Sequence, residues 1–242
     1  MVRAAAATLT CGTLVVTLTG CALWPGGSGA PDETPREQPG PTLAQGPPPA
    51  DWQDVRSPGG LVYSVPPEWE VGDPFGAPGD DPGLDPGTDW GSGHVTVANA
   101  IADRDYCPLG GMSFRALSGI TASALPGDAR EQAESASRAM ADSIDRYFTR
   151  AGADAPVPEA RSIGVSGVPA WYVSLRGQVH PPRNECTPPT IRFDTIAVST
   201  RGPDGAPAAF VFVLMADEDE PGVQPTEVID AVVASLRYDN SV

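Results

Sequence analysis

Apolar and polar positions alternate, repeat or run together in distinct stretches of this chain, and those stretches predict its elements. Leu61-Val62-Tyr63-Ser64-Val65 alternates, predicting a strand with Leu61, Tyr63 and Val65 inward. Pro66-Pro67 ends it, because proline cannot donate to a ladder, and Trp69 and Val71 follow in a second short extended piece, with Trp69 as a core anchor. Residues 94–101 alternate again, placing Val95, Val97, Asn99 and Ile101 on one face. Residues 108–120 carry no clear pattern, and Gly110-Gly111 interrupts any that begins.

The period then changes from two to between three and four. Ala129, Ala133, Ala136, Met140, Ile144, Tyr147, Phe148 and Ala151 form one apolar stripe, so a helix is expected from Asp128 to Gly152. Asp128 is its N-cap, Glu131 completes a capping-box spacing, and Gly152 suits the position past its C-terminus. The many alanines predict close packing on a sheet.

Strand patterns resume after residue 160. Residues 161–165 lead into a Ser166-Gly167 turn, and residues 170–179 put Trp171, Val173 and Leu175 on one face and Tyr172, Ser174 and Arg176 on the other. Residues 191–200 form the next strand, and Gly202-Pro203-Asp204-Gly205 is a hairpin connection. Residues 208–216 are apolar throughout, which predicts a central strand covered on both faces. Val228, Ile229, Val232, Val233 and Leu236 make one face of a closing helix.

Hairpin-joined strands with helices set apart from them predict an α+β domain, a twisted antiparallel sheet flanked by helices, over residues 58–242. The 72–93 stretch is read as an insertion: it has no period and is dense in Gly, Pro and Asp. Its Asp81, Asp85 and Asp89 are spaced unlike a calcium loop and no Glu completes them, so a solvated surface loop is expected. Trp90 ends this loop as a large aromatic, either plugging it onto the core or marking a contact surface.

The N-terminus sets the address. Arg3 precedes an apolar run over residues 4–18, about 15 residues against the roughly 20 needed to span a bilayer. Leu18-Thr19-Gly20-Cys21 follows, with the form of a lipobox. Residues 1–20 are therefore expected to be a signal peptide, and Cys21 the lipidated first residue of the mature chain. Two or three acyl chains anchor stably where one is marginal. The predicted location is the extracytoplasmic face of the cell membrane, with the lipid bilayer held through Cys21. Residues 21–57 carry Pro25, Pro31, Pro35, Pro39, Pro41 and Pro47-Pro48-Pro49 with few large apolar groups, and are expected to form a disordered, stiffened tether.

Charge and cysteines narrow the function classes. The chain has 15 basic and 31 acidic residues, and every cation is Arg. Such a surface repels nucleic acid, so no nucleic-acid partner is expected, and without Lys there is no lysine Schiff base or Walker lysine. Cys107 and Cys186 remain as an even pair in an exported chain and are expected to form a disulfide. It would close a loop worth up to about 4.5 kcal/mol on the chain-entropy account. His180 lies six residues before Cys186, but His94 is the only other histidine, too few ligands for a metal site. No Gly-x-Ser-x-Gly or His-Glu-x-x-His is present, and carboxylates are too numerous for any pair to stand out. No catalytic residue, cofactor or metal is expected. Trp90 and the loop around His180 are the candidate contact surface.

Gly60-Leu61-Val62-Tyr63-Ser64-Val65-Pro66-Pro67-Glu68-Trp69 resembles the strand, Pro, Trp opening of PsbP-like domains. Val228-Ile229-Asp230-Ala231-Val232-Val233-Ala234-Ser235-Leu236-Arg237 resembles their final helix. Behind a lipobox, the whole is similar to actinobacterial lipoproteins of the LpqN type. The resemblance implies an α/β/α sandwich without a shared catalytic centre, in a protein that binds an envelope protein partner. A carrier or sensor of a small molecule or lipid is the other reading.

Overall fold

The computed structural model describes residues 47–72, 88–89, 94–109, 113–144, 158–179 and 184–239. Its elements run β1 (Gln53–Arg56), β2 (Leu61–Val65), β3 (Glu70–Val71), β4 (Thr88–Asp89), β5 (Val95–Ala102), β6 (Ala116–Thr121) and β7 (Leu125–Pro126). Then come α1 (Ala129–Ile144), β8 (Arg161–Val165), β9 (Val168–Gln178), β10 (Thr190–Arg201), β11 (Pro207–Glu218), α2 (Thr226–Ala234) and β12 (Arg237–Tyr238).

The large sheet has the order β3-β5-β6-β11-β10-β9-β8, with β4 added on β5 and β7 on β11. Its spine is the β10–β11 hairpin, paired from Thr190–Glu218 to Arg201–Pro207. The turn closes where Gly205 donates to the Gly202 carbonyl, and Gly205 takes a φ of +79° that suits glycine. Ser166 and Gly167, at +49° and +79°, make the two-residue turn between β8 and β9.

Both faces of the spine are covered. On one, Ala129, Ala133, Ala136 and Met140 of α1 meet Val173, Leu175, Phe193, Val211 and Val213. Small alanines let the helix backbone lie close to the sheet. Its start is fixed by Asp128, whose carboxylate accepts from the Arg130 amide at 2.8 Å. On the other face, Leu61, Tyr63 and Val65 of β2 and Ile229, Val232 and Val233 of α2 pack on Tyr172, Ile196, Phe212 and Leu214.

This second layer corrects the expected fold. Among the described residues the protein is β-rich, with 46% strand and 15% helix, and it is not a PsbP-like α/β/α sandwich flanked by helices. The layer opposite α1 is mainly a second antiparallel sheet of order β1-β2-β12, helped by the nine-residue α2. The folded part also begins before residue 58, because β1 lies inside the stretch assigned to the tether. Only Val55 of β1 enters the core; Asp54 and Arg56 face solvent, so the segment carries almost no apolar signal. β2 pairs with both β1 and β12 and is buried along its whole length, Ser64 included, instead of showing an exposed face.

The expected alternation of β5 also fails, for a local reason. A bulge lies between Val97 and Ala100, with Ala98 at a φ of +51°. Val95 is exposed, while Thr96 before the bulge and Asn99 within it are both buried. The Thr96 hydroxyl donates to the Asn99 side-chain oxygen at 2.7 Å, and that oxygen sits where a β-carbon on Gly119 of β6 would stand. The Ala98 carbonyl accepts from the fully buried Tyr63 hydroxyl at 2.8 Å, so the small sheet holds the bulge in place. The expected helix to residue 151 runs to Ile144; its later residues lie outside the described ones.

Gly119→Ala would bring a β-carbon within 2.2 Å of Asn99 Oδ1 and 2.5 Å of Thr96 Oγ1. Overpacking of this kind costs about 1–3 kcal/mol. Urea denaturation should show that loss with an unchanged slope, whereas alanine at the open position Gly167 costs only its φ strain.

Candidate functional site

Polar chemistry gathers at the end of the large sheet where β11 finishes and β6 and β10 begin. Cys107 and Cys186 are bonded there, with Cα atoms 5.7 Å apart, as the cysteine count leads one to expect. The bond ties the segment after β5 to the segment before β10. Next to it, Tyr106 donates to the Cys186 carbonyl at 2.6 Å, and the Arg115 guanidinium lies 3.7 Å from the centre of the Tyr106 ring. Arg115 also pairs with Asp217, the penultimate residue of β11, at 3.4 Å and with Glu220. Burial raises the Asp217 carboxyl from its ordinary 3.8 to about 7, although Arg115 and Tyr106 pull the other way.

The opposite face of the same sheet end carries a second charged group. Arg192 of β10 is 4% exposed and donates through Nε to Asp194 at 2.6 Å; Asp194 is fully buried. The Tyr172 hydroxyl donates to the other Asp194 oxygen at 2.5 Å. A second Arg192 nitrogen reaches Asp230 on α2 at 2.7 Å. Two donors meet on one buried carboxylate, and the chain Asp230–Arg192–Asp194–Tyr172 links α2 to the sheet. Burial and the neighbouring Asp194 both raise the Tyr172 hydroxyl above its usual range. Arg192 is held charged by Asp194 and Asp230 against the opposing effect of burial.

Arg176 faces Arg192 across the β9–β10 ladder and grips Glu218 with two nitrogens, at 2.7 and 3.1 Å. This pair borders a cleft of about 320 Å³, completed by Asp219, Val223, Gln224 and Thr226. Gln224 in turn donates to Asp103 at 2.9 Å. The lining presents charges, an amide and a hydroxyl beside one valine. It suits a polar group and offers little to an acyl chain.

Cys21, Trp90 and His180 lie outside the described residues, as does nearly all of the acidic 72–93 stretch, of which Thr88–Asp89 pairs with β5. Trp69 and His94 are both buried, at 2% exposure. Among the described residues, no three His, Cys, Asp or Glu side chains gather in metal-ligand fashion. The polar cluster itself was not anticipated from the sequence. Arg192 and Asp194 occupy inward positions of a predicted strand, and charges at inward positions are the signal that was there to be used.

A family described as a domain of unknown function, DUF8017, matches residues 45–240. The chain belongs to this family. The match starts well before Gly59 and takes in β1, in agreement with the fold. No curated protein matches this DUF8017 chain.

Asp194→Ala would leave Arg192 and Tyr172 facing each other without their shared acceptor. A broken buried pair costs about 3–5 kcal/mol. Asp230 is 59% exposed, so Asp230→Ala should cost under about 1 kcal/mol. Chemical denaturation of the two variants should separate them by several-fold in free energy.

Proposed function

We propose that this DUF8017 protein is a non-catalytic lipoprotein, anchored through Cys21 on the extracytoplasmic face of the cell membrane. In this reading its acidic domain docks a protein partner with a basic surface. The observation that carries it is the use of the arginines. Eight of the ten described ones, Arg56, Arg104, Arg115, Arg130, Arg138, Arg176, Arg192 and Arg237, pair with carboxylates of the same domain. Arg161 lies over the Tyr172 ring and Arg201 donates to a backbone carbonyl. The cations are thus used internally, while Asp51, Glu68, Asp105, Glu131, Glu185, Asp219 and Glu227 stand exposed. The chain as a whole carries a net charge of −16, and the described arginines do little to offset its exposed acids.

The remaining support comes from the sequence. The lipobox supplies the anchor, the proline-rich stretch supplies reach, and the likeness to LpqN-type lipoproteins points to protein binding. No helix among the described residues is long and apolar enough to cross a membrane. The cleft beside Arg176 favours a second reading, a carrier of a small polar molecule.

Full-length protein purified from membranes of its own host in mild detergent tests both. The intact mass should correspond to a chain starting at Cys21 with acyl groups. A basic polypeptide should co-purify at low salt and dissociate as ionic strength rises toward about 0.5 M. An unmodified Cys21, or a partner retained regardless of salt, would overturn the reading. A bound mass of a few hundred daltons would favour the carrier.

A further inference from the structure

One guanidinium, that of Arg115, serves two carboxylates at the end of β11, Asp217 and Glu220. Asp217 is 5% exposed, and the Arg115 and Glu220 side chains are 13% and 16% exposed. The groups facing Asp217 can be taken element by element. The segment before β6 brings Arg115, and the segment after β5 brings Tyr106, whose hydroxyl is 3.4 Å away. Beyond its own strand comes Glu220, across the shared guanidinium. Its cross-strand partner on β10 is Ile191, which brings no charge. Glu218 is turned to the other face and held by Arg176. Two negative groups therefore share one positive group in a water-poor site. Such an imbalance is most readily relieved by a proton on one carboxylate.

The same stretch of chain forms a wall of the cleft. Between and beyond Asp217 and Glu220 lie Glu218, Asp219, Val223, Gln224 and Thr226, five of its six lining residues. Among the described residues, this wall is tied to the domain by Arg115, by the Arg176–Glu218 pair and by the Gln224–Asp103 hydrogen bond, besides β11 and α2 themselves. The opposite side of the contact is fixed, because the disulfide and the Tyr106–Cys186 hydrogen bond hold it.

We propose that Arg115, Asp217, Glu220 and Tyr106 form a proton-operated latch on the cleft wall, docked while Asp217 holds a proton and released more readily once Asp217 ionises.

The direction follows from linkage. The docked wall keeps the Asp217 carboxyl at about 7, and exposure on undocking returns it to its ordinary 3.8. The docked state therefore binds the proton more tightly. Docking is strongest at acid pH, weakens as pH rises from about 4 through 7, and levels off above 7. Between pH 6 and pH 8 the ratio of undocked to docked wall should rise about ten-fold. None of this depends on the lipid anchor or on the partner proposed above.

Hydrogen exchange on the detergent-solubilised full-length protein reads the latch directly, after correction for the intrinsic pH dependence of amide exchange. Peptides covering residues 217–226 should lose protection about ten-fold from pH 6 to pH 8, while peptides from β10 change little. Asp217→Asn should abolish that step. Glu220→Gln leaves Arg115 to Asp217 alone and should move the step to lower pH, a shift that mere loosening of the loop would not produce. A flat wild-type profile, a step that survives in Asp217→Asn, or an unmoved midpoint in Glu220→Gln would each overturn the latch.

Discussion

Burial of both faces of the β10–β11 hairpin is the constraint on which the rest of this structure depends. Its inward positions alternate between Phe212 and Leu214 on one side and Val211 and Val213 on the other, all fully buried. A sheet that is apolar on two faces must be roofed on both. The alanine stripe of α1 meets the first need. The second is met by a composite of β2, its short neighbours β1 and β12, and α2, brought together from the two ends of the folded chain. Tyr63 shows how tightly this composite is coupled to the sheet: its ring meets Phe212 edge-on at 5.1 Å, and its hydroxyl holds the β5 bulge. The N-terminal strands and the C-terminal helix are therefore part of the core.

The second organising fact is electrostatic. The whole chain has 31 acids and 15 cations, all of them arginine, so its cations cannot neutralise its acids. It places arginines where a planar, multiply donating head is most effective. Arg192 reaches two acids, Arg115 two acids and an aromatic face, and Arg176 grips one carboxylate with two nitrogens. Pairing at the rim adds little stability by itself. Its effect is to leave an outward excess of negative charge and to fix the cleft wall relative to the sheet. The acidic surface and the latch are two results of one arginine shortage.

How legible this was in the sequence depended on how many residues carried each signal. The β10–β11 hairpin, the N-cap at Asp128, the two faces of β9, the apolar stripe of α2 and the cysteine pair each rest on repeated or unambiguous residues. β1 and β12 were invisible because strands of four and two residues with one or two inward side chains have no measurable period. Without them the second layer looked helical, and the expected sandwich was the wrong architecture. The β5 bulge could not be anticipated from residues 94–101, because a single αL residue at Ala98 shifts every later side chain by one place. The charged cluster is hidden in the sequence for a different reason: Arg192, Asp194 and Asp217 sit in strands or at a strand end, and only the register shows which acids meet which arginines. Cys21, Trp90 and His180, the residues expected to serve anchoring and contact, lie outside the described residues.

Native-state hydrogen exchange across the whole domain is the most direct test of the claim that the two sheets and α2 form one core. If they do, amides of β2 and α2 exchange with the same free energy, and the same denaturant dependence, as the slowest amides of β10 and β11. Exchange of β2 and α2 several kcal/mol below the spine, with a shallow denaturant dependence, would show a detachable second layer and contradict the account.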